Sequence, residues 1–149
     1  MKMGLNTNTV KEISKIKNEP EWMLEKRLES LKIYNHLDVP NWVPDISDLH
    51  MEDIITYVKP KVDMKGDWQD VPEDIKDTFD RLGIPEAEKT SLAGVGAQYD
   101  SEVVYHSIQE DLVKQGVVYT DIETALHEYE DIVKKYWMTL IPPTDHKFA

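Results

Sequence analysis

The sequence predicts an α+β fold, in which a mostly helical N-terminal part packs with a small strand–helix–strand–helix unit. Apolar residues recur every three to four positions near the N-terminus, and strand and helix signals alternate over 95–137. The length of 149 residues is enough for one domain or for two small subdomains. The predicted boundaries are 1–70 for the helical and loop region, 71–140 for the small α/β unit and 141–149 for an extended tail.

Two helices are predicted in the N-terminal part. The first begins at a capping box formed by Thr9 and Glu12. Its apolar stripe consists of Val10, Ile13 and Ile16. The second is predicted over 21–35, because Pro20 stands at a favoured entry position and leucines recur with the helical period. Two prolines within 40–44 prevent this helix from continuing.

The middle of the chain alternates weak and strong signals. A short strand is predicted from the alternation of Ile54, Thr56 and Val58, and the polar segment 61–70 predicts a surface linker. A helix is predicted between Pro72 and Gly83, with acidic residues in its positive first turn. Its predicted buried face is Ile75, Phe79 and Leu82. A further short helix is predicted from Ile84 towards Leu92.

The small α/β unit is predicted from three successive signals. A strand-like run follows Gly96, and a capping box over 107–110 opens a helix that ends at a glycine. The apolar run 117–119 predicts a second strand. A further capping box opens a helical stretch over 120–136, which is expected to break near Glu128.

Composition narrows the function classes. The formal net charge is −12, which disfavours nucleic acid and anionic membranes as partners and suits contacts with basic patches on proteins. The sequence has no cysteine, so disulfides, thiolate ligands and thiol nucleophiles are excluded. No signal peptide or membrane span is predicted, and a cytoplasmic location is expected.

The glycine pair Gly94 and Gly96 raises the question of a phosphate-binding loop. A dinucleotide fingerprint would place a third glycine at position 99, which is Tyr99, and a strand-like run rather than a helix follows. The lysine of a P-loop is also absent. The favoured interpretation is that both glycines allow a tight turn from a helix into a strand.

A second candidate site is the pair Glu123 and His127, four residues apart on a predicted helix, with Glu130 three residues further on. Such a pair could share a metal ion, although a surface electrostatic pair is favoured. Two hypotheses therefore remain at this stage. One is an acidic interaction domain, and the other is a small nucleotide- or metal-binding enzyme that uses the Gly94/Gly96 loop and the Glu123/His127 pair.

Long stretches of the chain resemble a known family. They are "ISKIKNEPEWMLEKRLESLKIY", "PNWVPDISDL", "TFDRLGIPEAEK", "LAGVGAQYDSEVVYHSIQEDLVKQGVVYTDIETALHEYEDIVKKYW" and "IPPTDHKFA". Together they resemble the N-terminal region of the SufB family, the scaffold proteins of SUF iron–sulfur cluster assembly. The resemblance runs from about Val10 to Ala149, and its part from Ala93 to Trp137 also resembles the paralogue SufD.

The resemblance implies a scaffold role rather than an enzyme activity. In this family the N-terminal region leads into a parallel β-helix core, and a C-terminal region binds the ATPase SufC. The chain is then expected to be an N-terminal domain or fragment that caps the β-helix. It is expected to have no catalytic, cofactor-binding or metal-binding residue. SufC and SufD are the implied partners of the full-length protein, with a cysteine desulfurase as indirect sulfur donor, and the cluster would form on that full-length protein.

Overall fold

The computed structural model describes residues 3–61, 63–84 and 93–149. These residues contain six α-helices and one two-stranded antiparallel sheet, which confirms the α+β class. In chain order the elements are α1 (Thr7–Ile16), α2 (Glu21–His36), α3 (Glu73–Arg81), β1 (Gly94–Tyr99), β2 (Glu102–Ile108), α4 (Glu110–Lys114), α5 (Ile122–Glu128) and α6 (Glu130–Tyr136). The helix predicted towards Leu92 falls in 85–92, outside the described residues.

The chain divides into two compact units, which differ from the predicted boundaries at 70 and 140. Unit 1 combines residues 1–56 with 122–149, and unit 2 consists of residues 57–121. The C-terminal helices belong with the N-terminal ones because Leu126 is fully buried in unit 1 and Glu123 forms an ion pair with Lys17. The two ends of the chain therefore belong to the same unit, although they are far apart in sequence.

Unit 1 begins at a cap that differs from the predicted one. The side chain of Asn6 accepts hydrogen bonds from the backbone N–H groups of Asn8 at 3.0 Å and Thr9 at 3.1 Å, so α1 starts three residues before the expected capping box would start it. Thr9 instead donates its hydroxyl to the carbonyl of Gly4 at 3.0 Å. The prediction for α2 is confirmed, because this helix follows Pro20 directly.

The core of unit 1 is made by apolar side chains from its helices. The buried residues are Val10, Met23, Leu31 and Leu126. The stretch predicted as a helix with a break near Glu128 is confirmed, because α5 ends there and α6 starts after Tyr129. The strand predicted over 54–58 is wrong. In that segment the carbonyl of Ile54 accepts the N–H of Gly4, and the N–H of Val58 donates to the Ser101 hydroxyl.

Unit 2 is built on a β-hairpin instead of the predicted strand–helix–strand order. Strands β1 and β2 pair antiparallel, with Gly94 opposite Ile108, and they are joined by the two-residue turn Asp100–Ser101. Asp100 adopts a φ of 55°, a left-handed conformation that aspartate tolerates better than most residues. The predicted strand over 117–119 does not form. The backbone N–H of Val117 donates to the Leu112 carbonyl and closes the end of α4.

The core of unit 2 lies between the hairpin, α3 and the segment before α3. Its buried residues are Trp68, Val71, Ile75, Ala97, Val104 and Tyr105. The indole of Trp68 meets the rings of Phe79 and Tyr105 edge-on, at centroid distances of 5.4 and 5.3 Å. Residues 61–70 are therefore not a plain surface linker, because Trp68 is only 4% exposed.

Helix α3 forms largely as predicted. It follows Pro72 and carries Glu73 and Asp74 in its first turn, and Gly83 lies just beyond its end with a φ of 73°. Its buried face was predicted one residue too long, because the Leu82 side chain is 71% exposed. No helix within 3–61, 63–84 and 93–149 has both the length and the apolar composition needed to cross a bilayer.

Candidate functional site

Gly94 and Gly96 lie inside strand β1 and not in a turn. Gly94 pairs with Ile108 and Gly96 pairs with His106, both in β2. Neither glycine has a positive φ; the described glycines that do are Gly4, Gly83 and Gly116. The expectation that the pair turns the chain from a helix into a strand is therefore wrong. The reason for the two glycines must therefore lie in the side chains that contact them.

The side chain of Tyr119 lies against both glycines. A Cβ atom added to Gly94 would lie 2.8 Å from Cδ1 and 3.0 Å from Cε1 of Tyr119. A Cβ atom on Gly96 would lie 3.2 Å from the Tyr119 hydroxyl oxygen. Non-bonded carbon atoms have their optimal separation at about 3.5–4.0 Å, and real Cβ atoms essentially never approach a neighbour to less than 3.0 Å. Gly94 thus allows an aromatic ring to pack directly on the strand backbone.

The same tyrosine ring is stacked on a histidine. The rings of Tyr119 and His106 have centroids 4.8 Å apart and an interplanar angle of 29°. The backbone N–H of His106 donates to the carbonyl of Lys65 at 3.0 Å. Its Nε2 atom is buried and has no hydrogen-bond partner among the described residues. The surface over the glycines is therefore occupied by Tyr119, which fills the place where a phosphate would have to approach.

The second candidate pair lies on α5, where Glu123 has a different partner. Glu123 forms an ion pair with Lys17, whose side chain is largely buried, and His127 is exposed. Glu130 accepts a hydrogen bond from the Trp22 indole N–H at 2.7 Å. Among the described residues, no group of three or more histidine and acidic side chains is arranged to hold a metal ion. Glu123 and Glu130 instead tie the C-terminal helices to α1 and α2.

One exposed carboxyl group has a perturbed acidity. The backbone N–H of Ser47 donates to Asp45 Oδ1 at 2.9 Å, and this bond, followed by one from the Ser47 side chain, holds the pKa of Asp45 below its ordinary value. The contact is a local turn between neighbouring residues. Asp45 is exposed, and this turn accounts for its lowered pKa.

Unit 1 also contains a groove that sequence reasoning missed. It lies over one face of α2, and it encloses a cavity of about 250 Å³ with mostly apolar walls. Residues of α2 between Met23 and Tyr34 line the groove on one side. Leu5 and Val10 line it on the α1 side, and Trp137 lines it from the C-terminal segment. In the sequence, this face of α2 is marked only by its helical period. The opposite wall of the groove comes from residues more than 100 positions later in the chain.

The C-terminal segment is attached to α2 by Lys147. Its ammonium donates to the carbonyl of Tyr34 at 3.1 Å and to that of Leu37 at 2.8 Å, at the negative end of α2. It also lies 4.5 Å from the centroid of the Tyr34 ring. His146, the preceding residue, meets Trp42 edge-on with centroids 5.5 Å apart. These contacts hold the segment against the groove.

Comparison with known proteins decides the family. The chain is 51% identical over 146 residues to an iron–sulfur cluster assembly SufBD family protein of Staphylococcus aureus (strain USA300). It is 52% identical over 146 residues to the iron–sulfur cluster assembly protein SufB of Bacillus subtilis (strain 168). Both matches cover 98% of this chain.

The chain belongs to the SufBD family. The resemblance found in the sequence is thereby confirmed, and the match corresponds to the N-terminal part of SufB. The chain spans about a third of the length of these SufBD relatives, 31% in both cases. No family model matches it. No solved structure matches it either.

Proposed function

We propose that the chain acts as the N-terminal structural region of a SufB-type scaffold for iron–sulfur cluster assembly, and that it works through protein contacts instead of catalysis. The observation that carries the proposal is the identity of 51–52% over 146 residues to proteins named for that process. The proposed partners are the ATPase SufC and the paralogue SufD, with a cysteine desulfurase as indirect sulfur donor. The proposed location is the cytoplasm.

The side chains of the chain are consistent with a role without its own cluster. Its sequence lacks cysteine, the commonest ligand of such clusters. The strongest candidate features for independent chemistry have structural partners, because Tyr119 covers Gly94 and Lys17 pairs with Glu123. We therefore propose that cluster and sulfur chemistry take place on other parts of the assembled scaffold, and that this region holds no cofactor and catalyses no reaction.

An exposed apolar strip on unit 1 is a suitable contact surface for this role. Ile132 and Tyr136 are one helical turn apart on α6, and the strip continues to Leu140, whose side chain is 95% exposed. Exposed aliphatic and aromatic side chains on one face favour burial against a partner or against the rest of a longer scaffold. The surrounding negative charge of the chain would give such a contact a polar rim.

The proposal is tested by replacing the matching part of Bacillus subtilis SufB with this chain. We expect the chimaera to restore the activity of a cluster-dependent dehydratase such as aconitase in cells lacking their own SufB, and to co-purify with SufC and SufD. The variant Ile132→Asp/Tyr136→Asp should lose both properties. The control Lys11→Glu changes the net charge by the same amount at an exposed position of α1, outside the strip, and should keep both.

Two outcomes would contradict the proposal. One is a folded chimaera that neither restores the dehydratase nor retains SufC and SufD. The other concerns the isolated chain, which is expected to show no cluster absorbance after anaerobic incubation with iron and sulfide and no nucleotide hydrolysis. A stoichiometric cluster, or hydrolysis that Gly96→Val abolishes, would favour the enzyme hypothesis in its place.

A further inference from the structure

The groove over α2 combines apolar walls with a fixed positive charge at one end. Its floor follows α2 from Met23 to Tyr34, a distance of about 16 Å along the helix axis. Val10 and Ile13 of α1 form one wall, and Trp137 belongs to the other. The cavity of about 250 Å³ lies just below the usual range of small-molecule sites, which begins at about 300 Å³, and it is too small to take an α-helix.

The charges around the groove are not equivalent. Arg27 is committed to Glu19, to which its guanidinium donates through two nitrogens at 2.6–3.0 Å, and the Glu19 side chain is only 1% exposed. Lys26 is exposed and lies 3.6 Å from Glu29. Both of these cations therefore already have a carboxylate partner within the described structure.

Lys147 differs from them. Its ammonium has three donors, of which two are used by the carbonyls of Tyr34 and Leu37. Within the described part of the chain, no ion pair joins this ammonium to a carboxylate. A positive charge is thus held rigidly beside an apolar cavity, in a chain whose net charge is −12. The ammonium also lies over the Tyr34 ring, and its remaining donor suits an anionic group while the cavity suits hydrocarbon.

We propose that this groove binds a small amphiphilic anion, consisting of one carboxylate on an apolar chain. The apolar chain lies along the face of α2 and gains free energy by leaving water, in proportion to the number of buried methylene groups. The carboxylate accepts the remaining hydrogen bond of the Lys147 ammonium, which the carbonyls have already oriented. This site is independent of any contact with SufC or SufD.

The first experiment compares two probes that differ only in the sign of their head group. Decanoate and decyltrimethylammonium, both below their micelle concentrations, are titrated into the 149-residue chain by calorimetry. We expect decanoate to bind at least about tenfold more tightly, as one charge-assisted hydrogen bond would give. The overall negative charge of the chain works in the opposite direction, so non-specific attraction would favour the cation.

The second experiment uses three variants whose melting temperatures are first checked against the wild-type chain. Ser30→Phe fills the groove from the face of α2 and should abolish decanoate binding. Lys147→Met removes the charge and should weaken binding about tenfold. Lys32→Met removes one positive charge from an exposed position on α2 that does not line the groove, and it should bind like the wild type.

Each of the following results would overturn the proposal. The two probes bind with equal affinity, or decanoate does not bind below its micelle concentration. Ser30→Phe binds decanoate like the wild type, which would place the site elsewhere. Lys147→Met and Lys32→Met weaken decanoate binding equally, which would mean that only the net charge of the chain affects binding. The comparison of the two probes on the wild-type chain decides the matter even if a variant fails to fold.

Discussion

The contact between Gly94 and Tyr119 gives a quantitative prediction for the change Gly94→Ala. The new Cβ would lie 2.8 Å from one ring carbon, so the Tyr119 ring has to move by roughly 0.7 Å or more to reach a normal contact of about 3.5 Å. This movement disturbs its stack on His106, whose centroid is 4.8 Å away. An aromatic pair of this kind stabilises a fold by about 0.5–1.5 kcal/mol.

A compensating effect makes the single variant hard to interpret alone. Replacing glycine by alanine where the backbone tolerates it stabilises a protein by about 0.4–1 kcal/mol, because the unfolded chain loses freedom. The net change for Gly94→Ala is therefore small, and the informative quantity is its coupling to Tyr119→Ala. We expect Gly94→Ala to stabilise the chain in the Tyr119→Ala background and to be about 1 kcal/mol less favourable when the ring is present.

The assay is urea denaturation of the four proteins in this double-mutant cycle, followed by circular dichroism. Gly66→Ala is the matched control, because no atom lies within 4 Å of its added Cβ and no coupling to Tyr119 is expected. Gly96→Ala should couple more weakly, because it meets only the mobile hydroxyl end of the ring at 3.2 Å. Coupling below about 0.3 kcal/mol between Gly94 and Tyr119 would refute the assignment of Gly94 to ring packing.

Two further predictions concern single carboxyl groups. Arg27→Met should destabilise the chain by about 2–4 kcal/mol in urea denaturation, because it leaves the buried Glu19 carboxylate without its partner. Adding Glu19→Gln to this variant should restore part of the lost stability. A loss below about 0.5 kcal/mol for Arg27→Met would contradict a buried ion pair. Ser47→Ala should raise the pKa of Asp45 only part of the way to its ordinary value in an NMR titration, because the backbone N–H, the larger cause, remains. Because the pKa of Asp45 is lowered in the folded state, its carboxylate stabilises the fold at pH values above the unfolded-state pKa, and this contribution is lost as the pH falls through the folded-state pKa. Ser47→Ala should therefore make the stability of the fold depend less on acid. An unchanged Asp45 pKa in this variant would remove the Ser47 side chain as a cause.

Much of the helical structure could be predicted because its signals are local. Pro20 before α2, Pro72 before α3 and the positive φ at Gly83 each act within a few residues of the element they bound. The break after Glu128 was visible for the same reason. Local signals still compete with one another. Asn6 captures the N–H groups at the start of α1, so that the capping box at Thr9 is not used.

The hairpin could not be predicted from such signals, since its decisive features are a turn and a register. The turn Asp100–Ser101 contains no glycine, and the run after Gly96 was interpreted as one strand beside a later one at 117–119. Trp68 was hidden for a related reason. It stands in a polar segment, and its burial depends on Phe79 and Tyr105, which come from different elements. Neighbours that are distant in sequence leave no periodic pattern.

The candidate sites show the same difference between local sequence signals and contacts that are distant in sequence. A phosphate-binding loop needs backbone N–H groups that converge on open space, usually at the N-terminus of a helix. Gly94 and Gly96 meet neither condition, because they lie in a paired strand whose surface is covered by Tyr119. Tyr99 at the position of a third glycine already argued against such a loop, but the residue that explains the pair, Tyr119, lies more than 20 positions later. Conversely, no motif marked the groove beside Lys147, because its apolar wall and its charge come from opposite ends of the chain. In this SufBD chain the familiar pattern thus serves packing, and the site that suits a ligand has no sequence signature.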